Sequence, residues 1–214
     1  MTSRTEEEEL AQIKDWWQRN GKPLLTGGMF ALVAVFGWQT WQKYQGNQSQ
    51  AASAIYQQLV EVSLSAAGQP DAGKVSELAG KLNKDFAGSH YAQYASLLLA
   101  KVAVDGNRPD DAVAELRKVL AKPADASLGE LARERLARVL SAQGKHEEAL
   151  GLLAGEAVPA FVAVREELRG DLLVKLGRKA EARSAYEKAR AAMPQEAGLG
   201  MLQIKLDDLA DGEA

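Results

Sequence analysis

The sequence predicts an all-α protein in which one N-terminal transmembrane helix is followed by a solenoid of helical hairpins. Three observations predict this fold. Residues 23–42 form a stretch without charged side chains, and beyond residue 50 apolar residues recur at intervals of three and four positions. Glycine or proline interrupts that pattern at similar intervals, which indicates repeated short helices joined by turns. No segment alternates apolar and polar residues long enough to predict a strand.

The uncharged stretch PLLTGGMFALVAVFGWQTWQ has the length of a membrane-spanning helix. Residues 23–42, at about 1.5 Å per residue, extend over roughly 30 Å, which matches the hydrocarbon core of a bilayer. A buried helix of a soluble domain is one alternative. A cleaved signal peptide is another, but the nearest suitable small-x-small site, at 52–54, lies well beyond the apolar run. The tryptophans favour a span because they lie near both ends of the stretch, as interfacial aromatic belts do: Trp16, Trp17, Trp38 and Trp41.

Basic residues on either side of this stretch predict its orientation. After it comes Lys43, and the next basic residue is Lys74. Because basic residues favour the cytoplasmic side, we expect a single-pass type II protein whose C-terminal part lies on the far side of the membrane, which in a bacterium is the periplasm. Residues 1–22 are then a cytoplasmic tail, which forms either a short surface helix or a solvated lead-in. Four basic residues precede the stretch: Arg4, Lys14, Arg19 and Lys22.

Composition argues against several kinds of site. The 214 residues include 26 basic and 29 acidic side chains and no cysteine, so the chain has no disulfide and no thiolate metal site. This near balance of charge is not the basic footprint of a nucleic-acid-binding protein. His90 and His146 lie in separate predicted turns, and neither belongs to a metal or catalytic motif. We therefore expect no enzyme activity, no cofactor, no metal and no small-molecule substrate.

Beyond the span, residues 43–88 are predicted to form a linker helix and a first helical hairpin, and residues 89–214 a repeat domain. Each predicted helix has an apolar stripe and ends at a turn residue. The stripes are, in order, Ile55, Leu59, Val62 and Ala66; Val75, Leu78, Leu82 and Phe86; Tyr91, Ala95, Leu98 and Val102; Ala112, Leu116 and Val119; Leu128, Leu131, Ala132, Leu136 and Val139; and Ala149, Leu150 and Leu153. The turns between them contain Gly68, Pro70, Gly88, Gly106, Pro123, Gly144 and Gly155.

One unit, RGDLLVKLGRKAEARSAYEKARAAMP at residues 169–194, resembles the tetratricopeptide repeat (TPR). In that motif small residues let two antiparallel helices approach, an aromatic ring fills the cleft between them, and proline ends the second helix. Two earlier units align less fully, through Ala137, Leu140, Gly144, Ala149 and Leu153, and through Ala100, Asn107, Ala112 and Leu116. The best-matching unit carries the signature at Gly170, Leu173, Gly177, Ala182, Tyr186, Ala189 and Pro194.

A last helix is predicted after Pro194. Its leucines share one face and either cap the last repeat or present a stripe to a partner; we favour the cap, since terminal repeats need a cover. They are Leu199, Leu202, Leu206 and Leu209.

Repeat hairpins of this kind stack into a curved solenoid, and the first helix of each repeat lines its concave side. The alignment therefore predicts a partner-binding groove on these first helices. The candidate groove residues are Tyr94, Leu97, Lys101, Glu134, Arg138, Glu167 and Asp171.

The segment FAGSHYAQYASLLLAK (Phe86–Lys101) and the following DDAVAELRKVL, together with the single span, resemble the YfgM family of ancillary subunits of the bacterial SecYEG translocon. The resemblance extends over essentially the whole chain. It implies a non-enzymatic inner-membrane protein that associates with SecYEG, pairs with a PpiD-like periplasmic chaperone and aids the transfer of translocated proteins. It also implies an alternative role, restraint of a stress-response regulator through the cytoplasmic tail.

Overall fold

The computed structural model describes residues 2–64, 71–194 and 200–211, with side chains at 10–64, 71–194 and 200–210. Within these ranges the chain forms nine α-helices and no strand, which confirms the predicted all-α class. The helices are α1 Thr2–Leu64, α2 Ala72–Asp85, α3 His90–Asp105, α4 Pro109–Ala121, α5 Ala126–Ala142, α6 His146–Leu152, α7 Val162–Lys175, α8 Lys179–Ala192 and α9 Gly200–Asp211, with a 3-10 turn at Pro159–Phe161. The predicted stripe or turn residues Ala66, Gly68, Pro70 and Leu199 lie outside the described residues.

The chain divides into two units, residues 1–51 and residues 52–214. The first unit is the larger part of α1, and it contains an apolar segment long enough to cross a membrane. Every residue of 23–42 is exposed, including Phe30, Leu32 and Phe36. So large an exposed apolar surface is unfavourable in water but favourable in the hydrocarbon core of a membrane.

The second unit consists of antiparallel hairpins, each with its own share of the core. The end of α1 packs with α2 and α3 through residues such as Leu59 and Leu82. Helices α3 to α7 share a central cluster that includes Leu116, Leu136 and Leu140.

Helix starts follow the capping chemistry of the sequence. The Asp71 and Ser89 side chains accept hydrogen bonds from the backbone N–H groups of Lys74 and Ala92, which open α2 and α3. Asp125, two residues after the predicted turn residue Pro123, does the same for α5.

The turns α3–α4, α5–α6 and α7–α8 have the same geometry. Asn107, Gly144 and Gly177 have φ angles of 55°, 78° and 74°, in the left-handed region that favours glycine and tolerates asparagine. The following N–H group donates to the carbonyl five residues earlier in all three turns, at 2.8–2.9 Å, which completes a Schellman motif. This repetition confirms the three-repeat alignment, including the weaker unit around Asn107.

The hairpin α7–α8 packs as the repeat signature predicts. A Cβ atom at Gly170 would lie 2.2 Å from Cε1 of Tyr186, so only glycine leaves room for the ring. The Tyr186 hydroxyl donates a hydrogen bond to Asp171 at 2.8 Å. Burial, aided by this bond to a carboxylate, raises the pKa of the Tyr186 hydroxyl.

Buried polar side chains anchor the loops that follow α4 and α6. Gln93 of α3 donates to the Lys122 carbonyl and accepts from the Ala124 N–H, both at 2.8 Å. Arg165 of α7, 1 % exposed, donates to the carbonyls of 153, 154 and 156 at 2.8–3.1 Å. A buried Glu130 oxygen lies 3.0 Å from Nη1 of the same guanidinium, without the alignment of a hydrogen bond. The α6–α7 loop is thus fixed by the buried Arg165, which also forms an ion pair with Glu130 of α5.

The last helix caps the repeats. Leu202, Leu206 and Leu209 are buried in one cluster with Tyr186 and Ala189 of α8. The capping prediction is confirmed, since this stripe covers the apolar side of the last hairpin.

Candidate partner-binding groove

Two adjoining cavities follow the first helices of the repeats. A cavity of about 240 Å³ is lined by α3, α4 and α5, and a cavity of about 440 Å³ is lined by α5, α7 and α8. Arg138 of α5 lines both, so the cavities meet at its side chain. We call the two together the α3–α5–α7 groove.

Four of the predicted residues line this groove. Leu97, Lys101 and Arg138 line the smaller cavity, and Arg138 and Asp171 line the larger one. Leu97 is 4 % exposed, so it contributes to the floor of the cavity.

The other three predicted residues lie elsewhere. Tyr94 packs its ring against those of Tyr56 and Tyr91, with centroids 5.8 and 6.4 Å away. Glu134 is 3 % exposed and directed into the core, and Glu167 hydrogen-bonds with Lys205. Helix periodicity identified their face, but neighbouring side chains decide whether each residue reaches the groove.

Glu134 is a buried carboxylate without a close partner. Its Oε2 lies 3.8 Å from Nη1 of Arg138, and its Oε1 has no hydrogen-bond partner. Burial raises the pKa of the Glu134 carboxyl, an effect that Arg138 partly opposes. The Arg138–Glu134 contact is thus a long ion pair without a hydrogen bond, so the N–H groups of Arg138 remain free to bind a ligand in the groove.

Helix α9 places a cation at the α7 end of the groove. Lys205 lies 2.7 Å from both Glu167 and Asp171, and its ammonium lies 5.6 Å from the centre of the Tyr186 ring. Burial lowers the pKa of Lys205, but the hydrogen bonds to the two carboxylates outweigh burial and leave this pKa raised. A part of the predicted binding surface is thus an internal contact.

The groove residues that sequence reasoning missed include Val104, Arg135, Val174 and Lys175. Val104 and Val174 are 47 % and 43 % exposed and occupy equivalent positions, three residues before Asn107 and Gly177. Continuing the three-residue step from Lys101 and Asp171 toward the turns finds both valines. That signal was present in the sequence.

The two histidines lie at helix starts. Ser89 caps α3 in front of His90, and His90 Nε2 lies 3.0 Å from Asp125. His146 opens α6, with its Nδ1 3.3 Å from the Ser141 hydroxyl. Across the described residues no group of three His, Asp or Glu side chains could hold a metal ion.

Comparison with known proteins extends over both units. The tetratricopeptide repeat-like domain family matches residues 14–211. The chain is 33 % identical over 209 residues to the ancillary SecYEG translocon subunit of Escherichia coli K12, covering 96 % of this chain and 97 % of that protein. The chain belongs to the family of ancillary SecYEG translocon subunits. Identity to proteins of the same name is 32 % over 205 residues in Neisseria gonorrhoeae and 30 % over 204 residues in Haemophilus influenzae, covering 95 % of this chain and 97 % of each relative.

Membership of the ancillary SecYEG translocon subunit family confirms the resemblance drawn from residues 86–101. The matched region includes the apolar stretch 23–42 as well as all the repeats. An N-terminal apolar helix in a chain of this family fits an inner-membrane protein. The repeat fold and the name of these relatives favour a non-enzymatic scaffold.

Proposed function

We propose that this protein is a membrane-tethered ancillary subunit of the Sec translocon, and that its repeat domain holds a PpiD-like chaperone where translocated proteins emerge. The observation that carries the proposal is the extent of the likeness to ancillary SecYEG translocon subunits. It covers the exposed apolar helix and the repeats together, over 209 residues. A protein that shared only the repeats would share a fold and no cellular position.

The span and the groove have different roles in this proposal. Exposed apolar residues of 23–42 contact the translocon within the membrane. The α3–α5–α7 groove, in the periplasm under a type II topology, contacts the chaperone. Because the tether confines both partners to one membrane surface, even a weak groove contact is populated through its high effective concentration.

Site-specific photo-crosslinking in intact cells tests both contacts. Probes replace Leu32 in the span and Val104 and Arg138 in the groove; Val104 serves better than the buried Leu97. A matched control probe replaces Lys188, an exposed residue of α8 outside both cavities. We expect translocon adducts from Leu32, chaperone adducts from Val104 and Arg138, and none from Lys188.

Two results would contradict the proposal. Without translocon adducts at Leu32 or at its neighbours around the helix, the ancillary-subunit role fails. If translocon adducts form but groove probes give no more chaperone adduct than Lys188, the scaffold role of the groove fails. Deleting residues 1–22 then tests the alternative, a regulatory role of the cytoplasmic tail.

A further inference from the structure

The groove has an unusual charge balance for this protein. Four cationic side chains and two anionic ones line the two cavities, whereas the whole chain has a net charge of −3. The cations are Lys101, Arg135, Arg138 and Lys175, and the anions are Asp105 and Asp171.

Both anions of the groove are already paired. Asp105 forms an ion pair with Lys101, one turn before it on α3. Asp171 forms its ion pair with Lys205 of α9, which itself lines neither cavity. The carboxylates of the groove are therefore not free to bind a cationic partner.

The remaining three cations are not hydrogen-bonded to any carboxylate among the described residues. Arg135 has no carboxylate partner among the described residues, and Lys175 donates only to the Ser141 hydroxyl, at 2.9 Å. Arg138 is 3.8 Å from a carboxylate whose pKa is raised by burial. Arginine in particular binds carboxylates through paired hydrogen bonds. Three cations thus point into one groove with unused capacity for carboxylates.

Apolar surface lies between these cations. Val104 and Val174 are exposed at equivalent places of the two cavities, and Leu97, Leu116 and Leu168 lie beneath them. A partner that buries apolar side chains in these cavities brings its flanking groups close to Arg135, Arg138 and Lys175. Opposite charges at those flanks add affinity and specificity, whereas like charges are repelled.

We propose that the α3–α5–α7 groove binds a polypeptide segment of its partner in which apolar residues are interspersed with carboxylates. This inference rests on the proposed function, since it names the chemistry of the segment that the same groove holds. Helix α9 supports this specificity, because Lys205 neutralises the acidic α7 end that would otherwise repel such a segment.

A matched pair of peptides tests the inference on the full chain in detergent micelles. One labelled peptide alternates leucine with glutamate, and the other has glutamine in place of each glutamate. Fluorescence anisotropy measures Kd for the wild-type protein, for Arg135→Gln/Lys175→Gln, and for the control Lys188→Gln/Arg190→Gln. Both double variants remove two exposed cations, and the control pair lies on α8 outside the groove.

We expect wild-type protein to prefer the glutamate peptide, and the groove variant to weaken that binding about tenfold, or ~1.4 kcal/mol. The control variant leaves Kd unchanged, and added salt reduces the preference. Equal affinity for both peptides, no binding of the glutamate peptide, or equal weakening by the control would overturn the inference. So would a groove variant that loses binding only to phosphatidylglycerol vesicles, which would assign these cations to lipid headgroups.

The two proposals fail separately. If groove crosslinks to a chaperone form but the peptides are not discriminated, the scaffold function stands and the acidic chemistry is wrong. If the glutamate peptide binds as expected but no chaperone adduct forms in cells, the chemistry stands and the proposed partner is wrong.

Discussion

The hairpins α5–α6 and α7–α8 have the same turn but are held together differently. Gly144 and Gly177 have nearly the same φ, and the same backbone hydrogen bonds surround them. In α7–α8 the Tyr186 ring fills the space above Gly170. In α5–α6 the second helix has only seven residues, and buried Arg165 fixes the loop behind it. A repeat signature thus specifies the turn, while the packing across the hairpin has more than one solution.

Breaking the buried ion pair between Glu130 of α5 and Arg165 of α7 has the largest expected effect on stability. Arg165→Met leaves the buried Glu130 carboxylate with Arg133 alone as its counter-ion, on its other oxygen, and frees three carbonyls. We expect the free energy of unfolding to fall by about 3–5 kcal/mol, measured by urea denaturation of the detergent-solubilised chain with circular dichroism. Arg183→Met, which removes an exposed ion pair of α8, should cost about 0–1 kcal/mol.

The double variant Glu130→Gln/Arg165→Met sharpens this test. It removes both charges of the pair, so it should recover part of the lost stability. An Arg165→Met protein as stable as Arg183→Met would mean that the buried pair does not hold the α6–α7 loop.

The next largest loss of stability is expected from overpacking the α7–α8 hairpin. In Gly170→Ala the new Cβ collides with the Tyr186 ring, and we expect a loss of about 1–3 kcal/mol in the free energy of unfolding. Gly151→Ala in α6 is the matched control, because no atom lies within 4 Å of its added Cβ. There alanine should stabilise the helix by up to about 1 kcal/mol. If thermal unfolding showed equal effects of the two substitutions, the proposed packing difference between the two hairpins would be wrong.

Because the two hairpins share one turn geometry, replacing the turn glycine should lower the stability equally in both. Gly144→Ala and Gly177→Ala both force alanine into the left-handed region, and each should cost about 1–2 kcal/mol. Asparagine at either position should cost less, since Asn107 adopts this conformation in the first turn. Markedly different midpoints for the two alanine variants in urea would show that the turns are not equivalent.

Replacing the equivalent glutamates of α5 and α7 by glutamine should change the free energy of unfolding in opposite directions. Glu134→Gln should stabilise the protein by up to about 1 kcal/mol at neutral pH, because it removes a buried charge with an unpaired oxygen. Glu167→Gln should destabilise it by at most about 1 kcal/mol, since its hydrogen bond from Lys205 loses an ionic partner. Urea denaturation at neutral pH measures both.

The pH dependence of the Glu134→Gln effect follows from linkage. The folded state raises the pKa of Glu134 above its unfolded value near 4.5, so the folded state binds the proton more tightly. The penalty in the wild-type protein is complete above the raised pKa and disappears as the pH falls to about 4.5. The stability gain of Glu134→Gln should shrink over the same window; a gain that is independent of pH would contradict the raised pKa.

The sequence alone determined the elements that depend on local chemistry. Apolar stripes, caps such as Ser89 and turn residues such as Gly177 act within a few positions, so the helices of the repeats and their turns could be predicted. The fit of Tyr186 over Gly170 was also predictable, because a repeat fixes the relation between two helices. The length of 23–42 predicted a span in the same way.

Only the tertiary structure decided which polar groups meet. Arg165 reaches Glu130 across 35 positions, and Lys205 reaches Glu167 and Asp171 from a helix that the sequence marked only as a cap. Periodicity gives the face of a helix but not the side chains that come from other elements to cover it. For that reason the sequence predicted a groove along the first helices. The structure decided that Glu134 lies buried, that Asp171 is paired, and that Arg135 and Lys175 have no carboxylate partner among the described residues.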